Sequence, residues 1–66
     1  DTLSKYLDDA LLAGVSPIYI IHGKGEGVLR RAVTNFLKEH PMVESFRLGE
    51  YNEGGWGVTV AYLKGL

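Results

Sequence analysis

Between the apolar run Ile18-Tyr19-Ile20-Ile21 and an amphipathic segment opening at Val28 lies His22-Gly23-Lys24-Gly25-Glu26-Gly27, with Arg30 one turn further on. Glycines let a main chain approach an anion without side-chain clash, and the free N–H groups at the start of a helix add about half a positive charge. In open α/β sheets ligands gather beyond the carboxyl ends of the strands, where such a loop must lie. Imidazole is the side chain whose ionisation falls nearest neutral pH, so His22 could exchange a proton with a phosphodiester oxygen or a water. Lys24 and Arg30 could neutralise the same phosphate, and Arg47 could reach the ligand's backbone one strand over. The candidate site is therefore His22 as the catalytic group, with Gly23, Lys24, Gly25, Gly27, Arg30 and Arg47 as the nucleic-acid-binding residues.

The same loop also reads as a plain strand-to-helix connector, with glycines supplying positive φ. Standard nucleotide motifs do not fit. A P-loop requires Lys-Ser/Thr before the helix, and the dinucleotide fingerprint needs a small residue where Val28 stands. Glu26 puts a negative charge inside the proposed cradle. Of the other polar groups, the adjacent Asp8 and Asp9 diverge on a helix and read as a solvated face. His40 suits a helix C-terminus, and Glu50 and Glu53 lack a third ligand. No resident cofactor is expected in this piece; a divalent metal could take part, but the sequence does not support a site for one. Tyr51 and Trp56 read either as anchors over a sheet or as platforms for an unpaired base.

The elements that must position these groups follow from periodicity. Leu3, Tyr6, Leu7, Ala10 and Leu11 recur at helical spacing, predicting a helix over 2–13 that Gly14 and Pro17 end. Ile18 to His22 reads as a central strand covered on both faces, because its apolar run shows no polar alternation. Val28, Leu29, Ala32, Val33, Phe36 and Leu37 form the stripe of a second helix over 27–39, stopped by Pro41. Residues 43–48 alternate as a strand with one solvated face. A glycine-rich turn leads to a final strand over 58–63 of strong β character, pairing with 43–48 as a hairpin. The expected fold is an α+β two-layer sandwich within the α/β class: two helices on one face of a small mixed sheet. The strands at 18–22 and 43–48 would form a right-handed βαβ unit if parallel.

Size and composition narrow the function classes. Sixty-six residues form one domain at most, burying only about 60% of the surface the unfolded chain would expose. There is no cysteine, hence neither a disulfide framework nor a thiolate zinc site, which points to a reducing, cytoplasmic setting. No apolar stretch is of membrane-span length, so no membrane partner is expected. The chain starts at Asp1 and holds its one methionine at Met42, reading as a piece of something larger, with homo-oligomerisation left to the parent protein. Net charge is −1, which excludes a strongly basic nucleic-acid binder. Residues 1–21 nevertheless carry a net −2 and residues 22–47 a net +2, so positive charge gathers in the half holding the loop.

His22-Gly23-Lys24-Gly25, Leu29-Arg30, His40-Pro41, Ser45 to Gly49, and Glu53-Gly54-Gly55 leading into Gly57-Val58-Thr59-Val60 resemble the Smr (small MutS-related) domain. The likeness is nearest to the copies at the C-terminus of the bacterial MutS-two proteins, and it extends to Asp8 to Gly14. It implies a β-α-β-α-β-β sandwich whose first strand precedes Asp1, and an endonuclease activity. It further implies a parent ATPase acting on branched DNA in recombination control, or alternatively an RNA-binding or RNA-cleaving module in ribosome-collision rescue. The HGxG motif of the family maps onto His22 to Gly25. A second family motif, Leu-Asp-Leu-Arg/His-Gly, would precede Asp1, and without its acidic residue the piece could bind without cutting.

Overall fold

The computed structural model describes residues 2–66. In chain order the elements are helix α1 (Thr2–Ala13), strand β1 (Ile18–Ile21), helix α2 (Val28–Glu39), strand β2 (Val43–Leu48), two 3-10 turns (Tyr51–Glu53 and Gly55–Gly57) and strand β3 (Val58–Leu63). α1 ends in a Schellman arrangement: Val15 N–H donates to the Ala10 carbonyl at 3.0 Å and Gly14 N–H to the Leu11 carbonyl at 3.3 Å. α2 stops where His40 turns extended, ahead of Pro41.

The three strands form one sheet in the order β1-β3-β2. β2 and β3 are the expected hairpin, with Phe46 opposite Ala61 and Leu48 opposite Thr59, and an irregularity between Val43 and Ser45. β1 also pairs with β3 in antiparallel fashion, Ile18 facing Ala61 and Ile20 facing Thr59. Two expectations change as a result. Among the described strands β1 lies at an edge where a central place was expected, because β3 occupies the middle. β1 and β2 do run in the same direction around α2, but β3 lies between them, so they form no adjacent parallel pair. Over the described strands the sheet is antiparallel where a mixed sheet was expected.

Both helices lie on one face of this sheet. Leu7 and Ala10 of α1 and Val33 and Leu37 of α2 close a core on Ile18, Ile20, Val43, Ala61 and Leu63. Inward residues of the strands alternate with Tyr19, Ile21, Arg47, Val60 and Tyr62 on the other face, as the pleat requires. Central β3 is buried on both faces except at Tyr62, whereas Ile21 on the β1 edge is 81% exposed. The apolar stripe of α2 is likewise only half used, since Val28, Leu29 and Ala32 remain exposed. No described helix is long and apolar enough to cross a membrane.

Candidate nucleic-acid interface

The site begins where β1 runs out. His22 continues the inward alternation of Ile18 and Ile20, and its ring enters the layer between sheet and helices with 9% of the residue exposed. Its Nδ1 lies 3.0 Å from the Gly23 carbonyl oxygen and its Nε2 2.8 Å from Thr59 Oγ1. A carbonyl can only accept, so Nδ1 carries the hydrogen, and in the neutral ring the Thr59 hydroxyl donates to Nε2. The main chain is held as well. The N–H groups of His22 and Gly23 both donate to the Gly57 carbonyl, at 3.0 and 2.9 Å.

Beyond Gly23 the backbone is free. Among the described residues, the main-chain N–H groups from Lys24 through Arg30 donate to no protein acceptor. Gly27 caps α2 at φ +88° with no side chain closing the helix end. The free amides at the start of α2 border a depression of about 190 Å³, lined by His22, Gly25, Glu26, Gly27 and Arg30. The Arg30 side chain folds back over Gly27, where a Cβ would come within 2.9 Å of Nη2. Its guanidinium carbon also sits 5.6 Å from the centre of the Trp56 ring. One cation and a row of unpaired amides thus face a single concavity, with the largely buried His22 at its margin. That set complements an oxyanion.

Two of the sequence-predicted residues are elsewhere. Lys24 leaves the depression and lies along the second 3-10 turn, its Cγ packed at Gly57 and its Nζ near Gly55. Arg47 points from the opposite face of the sheet. Its Nη1 and Nη2 donate to Glu53 Oε1 and Oε2 at 2.8 and 3.0 Å, and its Nε donates to the Tyr62 hydroxyl at 3.1 Å. Those bonds, first to Glu53 and then to Tyr62, raise the Arg47 pKa above its ordinary value. The Glu53 carboxylate, held first by Arg47 and then by the Glu50 N–H, titrates at about 2. Arg47 therefore serves the end of the hairpin and stands apart from the loop.

Thr59 and Gly57 belong to the site but were not among its expected residues, whereas Trp56, read from the sequence as either an anchor or a base platform, lies beside Arg30. A threonine within the apolar run Val58 to Leu63, at a position that points inward, was the available signal for the first. Asp9 pairs with Lys5 at 3.3 Å on the exposed side of α1, and His40 Nδ1 accepts the Met42 N–H at 3.1 Å. Among the described residues no three His, Asp or Glu side chains gather as a metal site.

Comparison with known sequences decides the family. The sequence model of the Smr domain matches residues 1–64. The chain belongs to the Smr domain family. An Smr domain of Thermus thermophilus MutS2, solved by crystallography, superposes with a TM-score of 0.91 at 40% identity, covering 96% of this chain and 79% of that one. YdaL, a stand-alone small MutS-related protein from Escherichia coli, superposes with a TM-score of 0.85 at 28% identity, covering 89% of this chain and 50% of that one. In sequence, the Smr chain is 62% identical over 63 residues to endonuclease MutS2 of Clostridium novyi and 63% identical over 62 residues to that of Geobacillus kaustophilus. It covers 96% and 94% of itself in those matches and spans 8% of the length of each of these curated relatives. The two helices over a three-stranded antiparallel sheet are the α+β Smr fold.

Proposed function

We propose that this chain is the nucleic-acid-binding, nicking endonuclease domain of a MutS-two-type ATPase, acting on branched DNA in the control of recombination. The observation that carries the proposal is the row of unpartnered amides from Lys24 through Arg30, opening on a concavity beside Arg30 and His22. A phosphodiester seated there accepts from the amides of Gly25, Glu26 and Gly27 and is neutralised by Arg30. Lys24, on the neighbouring turn, meets the next phosphate along the strand. Relatives that bear the name endonuclease MutS2 are the support for hydrolysis.

In this scheme His22 exchanges a proton at Nε2, the ring nitrogen that now faces Thr59, while the Gly23 carbonyl keeps the hydrogen on Nδ1 and fixes the ring. Nε2 is buried against Thr59, so the ligand reaches it only when Thr59 moves and the layer beneath the loop opens. Few cations face the loop, so affinity is modest and falls with salt only in proportion to the few phosphates they neutralise.

Two measurements test the proposal. In a fluorescence-anisotropy titration, Lys24→Ala/Arg30→Ala should bind branched and single-stranded DNA several-fold more weakly than wild type, and equal binding would remove the phosphate cradle. In plasmid nicking by the full-length protein, His22→Ala should lose activity, and equal rates would exclude His22 as the proton carrier. Competition with single-stranded RNA separates the DNA substrate from an RNA one.

A further inference from the structure

Resting on the phosphate cradle above, we infer that Trp56 is a stacking platform for an unpaired base, placed beside the loop that takes the adjoining phosphate. Trp56 is outside the hydrophobic core and keeps 48% of its surface exposed. A tryptophan tucked over a sheet as an anchor would be covered. The Trp56 position is fixed by its neighbour, because the Gly57 carbonyl accepts the N–H groups of both His22 and Gly23. The indole is thereby tied to the first two residues of the phosphate loop. The chain neighbours of Trp56, Gly55 and Gly57, carry no side chains of their own to crowd an incoming base.

Arg30 joins the two subsites. Its guanidinium lines the depression with His22 and Gly27 and lies over the Trp56 ring, 5.6 Å from the ring centre. A cation held on an aromatic face is oriented and polarises the ring, and both groups stack on bases whatever the base identity. A base within a duplex has both faces covered by its neighbours, so the ligand of this platform is an unpaired nucleotide, as at a single-stranded gap or the junction of a branch. The phosphate of that nucleotide falls to the amides and Arg30, and its base to the indole.

The experiment uses the full chain and a short single strand carrying one 2-aminopurine among abasic positions, so that a single base is available to stack; a fully abasic strand of the same length is the control. Wild type should quench the 2-aminopurine emission and bind this strand more tightly than the abasic one. Trp56→Leu should abolish the quenching and weaken binding about tenfold on the base-bearing strand only. Trp56→Phe, which retains an aromatic face, should keep most of both. Lys24→Ala should weaken both strands equally, reporting the phosphate contact separately.

Trp56→Leu with wild-type quenching and affinity would overturn the platform while leaving the cradle standing. Failure of wild type to bind either strand would overturn both, and would leave the Arg30–Trp56 pair to a protein partner. An RNA version of the same strand shows whether the sugar matters, and equal quenching supports a platform that reads the base alone.

Discussion

His22 Nε2 and Thr59 Oγ1, thirty-seven residues apart in the chain, lie 2.8 Å from each other in the buried layer beneath the loop. Thr59 is 1% exposed, so no water replaces it readily. Thr59→Val keeps the shape of the side chain and removes the donor, leaving a ring nitrogen buried without a partner. The expected cost is about 1–3 kcal/mol of stability, read from urea denaturation. Nitrogen-15 spectra of the His22 ring should show Nδ1 still protonated, because the Gly23 carbonyl remains. A ring that changes tautomer in Thr59→Val would mean that Thr59, and not Gly23, sets the proton position.

The close approach of the glycine loop to the second 3-10 turn gives a second expectation. A Cβ at Gly57 would stand 3.0 Å from Lys24 Cγ and 3.3 Å from the Gly23 carbonyl carbon. Gly57→Ala should therefore prise the turn from the loop, at a cost of roughly 1–3 kcal/mol. Hydrogen exchange is the sharper readout. The amides of His22 and Gly23, which share the Gly57 carbonyl, should lose protection while those of Val33 and Leu37 on α2 keep theirs.

Much of the fold is legible in the residue pattern, and the exceptions have physical causes. The two helices and the β2–β3 hairpin follow from local periodicity, since each needs only neighbours in sequence. The place of β1 does not. Ile18 to Ile21 is apolar throughout, so it reads as buried on both faces, yet Tyr19 and Ile21 are exposed because they lie on the sheet face opposite the helices, at an edge of the described sheet. Sheet order depends on the non-local pairing of β1 with β3, which no periodicity encodes. In the site, the glycines and His22 declare a loop that could hold an anion. The directions of Lys24 and Arg47 are set by groups remote in sequence, the turn at Gly55 to Gly57 for the one and the pair Glu53 and Tyr62 for the other.

A chain of 66 residues has little stability in reserve, and the core should show it. Leu37 of α2 is 1% exposed, packed among residues of both helices and the sheet. Leu37→Ala should cost about 2–5 kcal/mol, enough to unfold much of the population at 25 °C. Leu12 on α1 is 89% exposed, and Leu12→Ala should stay within about 0.5 kcal/mol of wild type. Circular dichroism during urea titration of the two variants checks the contrast, and similar midpoints would contradict the placement of the core.

The Arg47–Glu53 pair predicts a pH dependence whose sign is fixed by the carboxylate. Glu53 titrates at about 2 in the folded chain against an ordinary 4.5, so folding favours its charged form. The pair's contribution to stability is therefore fully present above the ordinary carboxylate range and is lost as the pH falls from about 4.5 through about 2. Glu53→Gln removes that charge at every pH. Wild type should have the higher urea midpoint above pH 5, and the difference between the two proteins should shrink steadily below it. The pair sits at the surface and salt screens it, so the difference above pH 5 should also narrow in 1 M salt. Curves that stay parallel down to pH 2 would show that the Arg47 guanidinium does not hold this carboxylate, and Arg47 would then be free to meet a ligand from the open face of the sheet.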